Sequence, residues 1–301
     1  MNSGHIPVRS ISLPSWLHPN SLKIEAELTK LKSWDFLSST SATNPLGAET
    51  IQMGLTKLAE LLICVEELTQ SPQKQEAYHH QRLDQVEKLI DASVGLVDVC
   101  GTARDLLLAM QEHIRDLQSA LRRRGKDSSS IESDVQTYVS FRKRAKKQVT
   151  KSLATLKKME GNALSFPTLD EEHHLSYVVK VIEEVHAIAV TIFRSVMLFL
   201  SPLATKTNVV GWSLISKLIR SGLHDSDRGE KIFNEVGKTD IALCSIHGQI
   251  RKNNDANFDV QQVQERLETL DVSIQYLEAK LDCLFRCLIQ NRVSLLNLVT
   301  P

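Results

Sequence analysis

Residues 260–298 read VQQVQERLETLDVSIQYLEAKLDCLFRCLIQNRVSLLNL, and this stretch decides the fold class. Its apolar side chains recur at spacings of three and four residues, which places them on one face of an α-helix. Asp259 and Gln262 have the spacing of a capping box at the start of that helix. The stripe consists of Val260, Val263, Leu267, Leu270, Ile274, Leu277, Leu281, Leu284, Leu288, Asn291, Leu295 and Leu298. The pattern predicts one long C-terminal helix with a heptad-patterned face.

Helical periodicity also dominates the rest of the chain. Apolar residues keep spacings of three and four through residues 51–68, 75–124, 131–160 and 169–201, and more weakly through 228–252. Only 12 glycines and 8 prolines occur in 301 residues, which disfavours a turn-rich β architecture. We therefore predict an all-α fold, an elongated antiparallel multi-helix bundle that ends in the long C-terminal helix. A coiled coil between chains through the same stripe is the alternative.

Three segments organise the chain. Residues 1–19 are predicted to be a disordered tail, residues 20–46 a short helix followed by a polar linker, and residues 47–301 the helical bundle. Within the long helical segment, Gly95 and Gly101 each weaken a helix by roughly 1 kcal/mol relative to alanine. Two such glycines indicate either a bend or a close approach of another backbone element.

Candidate metal ligands are few. Glu-x-x-His pairs begin at Glu76, Glu171 and Glu183, a spacing that occurs in di-iron bundles. Glu171 and Glu183 would lie about 18 Å apart on one helix, so they cannot share a site. We expect His186 to lie at the edge of the core. The sequence predicts no catalytic residue, no metal site, no cofactor and no small-molecule substrate.

The five cysteines are odd in number and scattered, and no CxxC pair occurs. We expect reduced thiols buried at apolar positions, with Cys100 packed near the glycines and Cys283 one helical turn from Cys287. Reduced thiols are typical of the cytosol and nucleus. The first twenty residues lack the apolar run of a secretory signal. We predict a cytoplasmic protein, with nuclear or peripheral membrane localisation as the alternatives.

Positive charge is concentrated in the middle of the chain. Between Arg115 and Lys158 there are 13 Lys and Arg against 4 Asp and Glu, a local charge of +9 in a chain of net charge zero. On a helical wheel Phe141, Ala145 and Val149 share one arc, and lysines occupy the opposite arc. The predicted basic patch comprises Arg122, Arg123, Arg124, Arg142, Lys143, Arg144, Lys146, Lys147 and Lys151.

Three interpretations of this patch remain open. It is either a solvated face of the bundle, a contact with anionic lipid headgroups, or a signal for nuclear import or nucleic-acid binding through FRKRAKK at residues 141–147. Nucleic-acid binding is disfavoured because aromatic side chains do not alternate with the basic ones.

The N-terminal tail contains a possible docking motif. Residues 9–14 read RSISLP, which has the form R-S-x-S-x-P that 14-3-3-type adaptors bind once the second serine is phosphorylated. Arg9 lies three residues before Ser12, Ser10 lies between them, and Pro14 can turn the chain out of a groove. A phosphate at Ser12 would carry a charge of about −1.5 to −2, matched to an arginine cluster on the adaptor. In the alternative, the apolar residues of the tail pack onto the bundle and the serines cap turns.

Four stretches resemble a plant protein family. They are RSISLPSWLHPNSLKIEAELTKLKSW, LVDVCGTARDLLLAMQEHIRDLQSALRRR, YVSFRKRAKKQV and LEAKLDCLFRCLIQNRVSLLNL. The family is defined by a domain of unknown function and is distantly related to the BYPASS group. The resemblance implies a role in root and shoot development and supplies no catalytic residue. We predict a non-enzymatic helical protein-interaction or regulatory protein whose partners are other proteins.

Overall fold

The computed structural model describes residues 21–40, 46–70, 80–123, 128–161, 174–201, 234–250 and 260–299. Within these residues the fold is all-α, as predicted, with seven helices and no strand. The helices are α1 Ser21–Thr40, α2 Ala48–Thr69, α3 His80–Arg122, α4 Ser128–Gly161, α5 His174–Leu200, α6 Glu235–Ile250 and α7 Val260–Val299.

The long C-terminal helix is confirmed as α7, which packs along α3 and α2. The predicted stripe forms its inner face, since the side chains from Leu267 to Leu284 in that stripe are fully buried. The Cys100 thiol of α3 donates to the Leu281 carbonyl oxygen at 3.6 Å, and Arg292 donates to Ser93 at 2.9 Å. Residues late in α7 thus contact residues early in α3, so the two helices are antiparallel.

The remaining helices surround the same core. Helix α5 packs against α2 and α3, α4 covers α3 and α5, and α1 lies against α2 and α5. Ile24, Leu28 and Leu31 of α1 belong to the main hydrophobic core, so α1 is packed as part of the bundle. Helix α6 contacts both α7 and α4. None of the described helices combines the length and apolar composition needed to cross a membrane.

At Gly95 the close approach is made by a side chain of another helix and not by its backbone. Helix α3 continues through both glycines. A Cβ built on Gly95 would lie 3.1 Å from the Met159 sulfur of α4, whereas one on Gly101 would meet nothing within 4 Å. His113 of α3 also contacts Phe141 of α4, with ring centroids 4.8 Å apart. These contacts give an antiparallel α3–α4 hairpin with α4 on the outside.

Side chains at the start of α6 cap the N-termini of two helices, α2 and α6 itself. Glu235 accepts hydrogen bonds from the Ala48 backbone N–H at 3.2 and 3.3 Å, which satisfies the N-terminus of α2. Asn234 caps α6 by accepting from the Gly237 N–H at 2.9 Å, and it donates to the Phe199 carbonyl oxygen at 3.0 Å. This fixes α6 against the end of α5, next to α4.

Candidate functional site

Helix α4 has a buried inner face, as the helical wheel predicted. Phe141, Ala145, Val149 and Leu156 are all buried in the main core. These apolar residues recur with the period of the helix, so they line one side of α4 along its length. The opposite side of α4 therefore faces solvent.

The outer face of α4 carries seven exposed cations, which we call the cationic face. They are Lys143, Arg144, Lys146, Lys147, Lys151, Lys157 and Lys158. Helix α4 contains no acidic residue between positions 135 and 159. Within the described residues, no carboxylate forms an ion pair with any of these seven side chains. The nearest acidic residue in sequence, Glu160, pairs with Arg194 of α5 at 3.0 Å.

The charge of the bundle is polarised by this helix. Helix α4 contains eight basic and three acidic residues, a net charge of +5. Each of the other six described helices has a net charge between zero and −3 when its own residues are counted. Among the described helices, α4 is therefore the one with a net positive charge.

Maintaining the cationic face costs stability. Lys147 has like-charged neighbours four residues away on each side, Lys143 and Lys151, and such pairs destabilise a helix by about 0.2–0.5 kcal/mol each. An anionic partner would relieve this repulsion.

Arg142 corrects the predicted basic patch, because its side chain is buried and only 1% exposed. Its guanidinium donates to both oxygens of Asp240 in α6, with the Nη2–Oδ2 distance at 2.9 Å, and to the Leu200 carbonyl oxygen at 2.9 Å. Tyr138 donates to the same carboxylate at 2.8 Å. Arg142 lies beside Phe141 at the border of the apolar stripe, where Asp240 supplies a partner. It therefore anchors α4 and is not part of the surface.

The environment keeps this network in one protonation state. Burial alone would lower the pKa of Arg142, but the adjacent Asp240 carboxylate outweighs it and the pKa is raised. Burial, together with the same carboxylate, raises the pKa of Tyr138 well above its usual value. Arg142 therefore stays charged and Tyr138 stays a hydrogen-bond donor. Together they fix α4 against α6 and the end of α5, which determines the direction in which the cationic face points.

The rest of the predicted patch is divided by the structure. Arg122 and Arg123 are exposed at the end of α3, and Arg124 lies outside the described residues. The antiparallel register of α3 and α4 places Arg122 about 16 Å from Lys143 along the bundle. Glu132 lies at the level of Arg122, and Asp134 lies between that level and Lys143. The two arginines thus form a separate group at one end of the bundle.

The predicted phosphorylation motif cannot be placed in the same way. Arg9, Ser10, Ser12 and Pro14 all lie outside the described residues. The motif therefore stays a prediction.

Two other predicted residues behave as packing groups. His186 is partly buried at the edge of the core, as expected, and burial lowers its pKa. Cys100 is fully buried, and burial raises the pKa of its thiol to about 12, so it is a neutral packing thiol. Within the described part of the chain no three His, Cys, Asp or Glu side chains are grouped closely enough to hold a metal ion.

One cysteine prediction was wrong. Cys283 is exposed, whereas Cys64, Cys100 and Cys244 are buried and Cys287 is partly buried. Cys283 immediately precedes the buried Leu284, so it points away from the face that packs against α2 and α3. An apolar residue type next to a stripe does not place that residue in the stripe.

Tyr138 and Asp240 were not predicted from the sequence to be site residues. Tyr138 continues the α4 apolar stripe, so a buried hydroxyl group could have been anticipated there. Asp240 lies in α6, whose helical pattern is weak, and nothing in its local sequence indicates a buried carboxylate. Only the packing of α4 on α6 reveals the pair.

These features define a class of protein, an all-α bundle in which one anchored outer helix presents a cationic face that no carboxylate of the described residues pairs with. The chain belongs to the BPS1 family, because the family model described as Protein BPS1 matches residues 54–298, which is most of the chain. The match runs from within α2 to within α7 and confirms the resemblance to the BYPASS-related plant family. No curated protein and no solved structure matches the chain.

Proposed function

We propose that this protein is a non-enzymatic regulatory protein that acts in the cytoplasm by binding other molecules, in plant root and shoot development. The observation that carries the proposal is the cationic face of α4, which is exposed and without ion pairs in the described part of the chain. Membership of the BPS1 family and the resemblance to BYPASS-related proteins support the developmental role.

The organisation of the charged groups also supports binding as the activity. The buried groups Tyr138, Arg142 and Asp240 are occupied with one another, and their bonds hold helices together. The free charge lies on the outside of the bundle, in a row on one helix. Such a surface can attract and orient a partner, because opposite charges increase both the rate and the specificity of association.

The proposal is tested by charge reversal at two positions of the cationic face. We expect Lys143→Glu/Lys147→Glu to lose partners that the wild type retains on affinity purification from plant tissue. A matched control is Lys180→Glu/Arg286→Glu, which makes the same change in net charge at exposed positions on α5 and α7. Identical sets of partners for the wild type and both variants would contradict a binding role for the cationic face.

A second candidate activity is phosphorylation-dependent docking of the tail. Its support is the spacing of Arg9, Ser12 and Pro14, which fits 14-3-3-type adaptors. We expect a phosphorylated peptide containing residues 6–18 to bind such an adaptor, and the Ser12→Ala protein to lose the binding that Ser10→Ala retains. Equal binding by both variants, or binding by neither the peptide nor the protein, would remove this candidate.

Nuclear import through residues 141–147 is less favoured. Arg142 and Ala145 are buried within the helix, so an import factor that reads an extended basic peptide would have to unfold this part of α4. The folded surface is better suited to a partner that contacts lysines on one side of an intact helix.

A further inference from the structure

We propose that the cationic face of α4 binds the anionic phospholipid surface of a membrane, so that electrostatic attraction holds the protein there peripherally. This inference rests on the proposed function, since it names the partner of the same surface. Three properties of the face favour lipid headgroups over a protein or a nucleic acid. They are the type of cation, the side chains between the cations, and the distribution of charge over the bundle.

The cations of the face are six lysines and one arginine, Arg144. A lysine ammonium is a compact, hydrated charge on a flexible stem, which can meet a disordered layer of headgroups without fixed geometry. Arginine is the side chain that binds phosphates and base edges through two parallel hydrogen bonds. A face with a single arginine is therefore poorly equipped to read a nucleic acid and well suited to a diffuse negative surface.

The side chains between the cations offer no apolar anchor. Outward positions of α4 are occupied by small or polar residues such as Ser140, Thr150 and Ala154, and its described residues expose no large apolar side chain. Protein interfaces depend on buried aromatic or arginine anchors, and single-stranded nucleic acids on aromatic stacking. A lipid headgroup layer requires neither, because each basic residue near it strengthens binding about fivefold through charge alone.

The charge distribution would orient the bundle on such a surface. Lys143, Lys147, Lys151 and Lys158 lie along one side of α4 over about 22 Å, so one plane can contact all four at once. Of the other described helices, the acidic ones would be repelled by the same plane and the neutral ones would not be attracted to it. Contact with anionic headgroups would also relieve the repulsion between the lysines.

The buried network fixes the orientation in which α4 presents the cationic face. Because Arg142 is bonded to Asp240 and to the end of α5, the helix cannot rotate its lysines toward the core. The face is therefore exposed before any lipid is present, and binding requires no conformational change in α4.

The test uses the full-length protein with phosphatidylcholine vesicles, with and without phosphatidylserine, in a co-sedimentation assay. We expect binding only to the vesicles that contain phosphatidylserine, and weaker binding as the salt concentration rises, since salt screens exposed charges. Lys143→Glu/Lys147→Glu should bind at least about 25-fold more weakly, as two contributions are removed and reversed. The control Lys180→Glu/Arg286→Glu should bind as the wild type does.

A second variant and a second probe separate the outcomes. Lys143→Gln/Lys147→Gln removes the charges without reversing them, and circular dichroism checks that each variant keeps its helices. Failure of the wild type to bind phosphatidylserine vesicles, or equal binding by all variants, would overturn the membrane proposal. If retention on immobilised heparin is still lost in the Lys143→Glu/Lys147→Glu protein, the proposed binding role of the face stands with another anionic partner. If the Lys143→Glu/Lys147→Glu protein binds both vesicles and heparin as the wild type does, both proposals are overturned.

Discussion

Arg142 and Lys143 are adjacent in α4, yet their charges lie in opposite surroundings. Arg142 is buried and bonded to Asp240 and Leu200, whereas Lys143 is exposed and makes no ion pair within the described residues. Successive residues are rotated by about 100° on a helix, so a run of basic residues necessarily points in several directions. The difference shows that one basic run has two roles: one cation fixes the helix in the bundle, and its neighbours are available to a partner.

The variant with the largest expected effect on stability removes the buried cation, Arg142. We expect Arg142→Ala to lower the free energy of unfolding by about 3–5 kcal/mol, because Asp240 is left as an unpaired charge in the core. Lys143→Ala is the matched control one residue away and should change the free energy by less than about 0.5 kcal/mol. Urea unfolding of both variants measures the two effects. Similar losses for the two would mean that Arg142 is not anchored as described.

A second test contrasts the fully buried, hydrogen-bonded Asp240 with Glu183, which is half-buried. Burial, together with the charge of Glu184, raises the pKa of Glu183 from its usual 4.5 to about 7, and its Oε1 atom has no hydrogen-bond partner within the described residues. The folded protein therefore holds a proton that the unfolded chain releases, so stability falls as the pH rises from 4.5 to 7. Glu183→Gln, which does not titrate, should be more stable than the wild type above that window by about 1 kcal/mol, since water screens this partly exposed group.

The pH dependence provides the control for this prediction. Thermal unfolding at pH values below the usual pKa of a glutamate should show no difference between Glu183→Gln and the wild type, because Glu183 is then protonated in both states. A constant difference at all pH values would show that the effect comes from packing and not from the charge of Glu183.

A third test compares two glycines of α3, one that faces α4 and one that faces open space. We expect Gly101→Ala to raise the free energy of unfolding by about 0.5–1 kcal/mol, since alanine favours the helix and its Cβ meets no atom within 4 Å. Gly95→Ala should gain less or lose stability, because its Cβ would press on the Met159 sulfur. Chemical unfolding of both variants measures the difference. An equal gain in both would indicate that α4 packs less closely on Gly95 than described.

The smallest expected effect concerns the exposed lysines. Lys147→Gln removes two repulsive pairs, with Lys143 and Lys151, and should stabilise the protein by about 0.5 kcal/mol. Salt should reduce this gain, because it screens exposed charges. Thermal unfolding at low and high salt checks both expectations. A loss of stability would mean that Lys147 makes a favourable contact in the folded protein.

Much of the fold follows from the sequence because helical periodicity and packing agree in it. The stripe that begins at Val260 occupies the core face of α7, and the arc that contains Phe141 and Val149 does so in α4. Gly95 marks a close contact, although it is a side chain, that of Met159, and not a backbone that lies against it. The predicted alternative of a coiled coil between chains stays a prediction, although the stripe is already covered by α2 and α3.

The site was predicted less completely, because the spacing of charged residues does not show which of them pair with a carboxylate of another helix. Arg142 lies at the border of the apolar stripe and Arg144 does not, but only the packing of another helix shows that Asp240 pairs with the Arg142 charge. Cys283 was misplaced for a related reason, since its neighbour Leu284 and not Cys283 points inward.

The sequence by itself determined the helices, the apolar faces that they bury and the charge that α4 carries. These depend on residues within a few turns of one another, so short-range spacing is sufficient to read them. Only the tertiary structure decided which cation pairs with a carboxylate and which remain free. Arg142 and Asp240 are 98 residues apart in the chain, and a contact over that separation depends on how helices pack and not on local sequence.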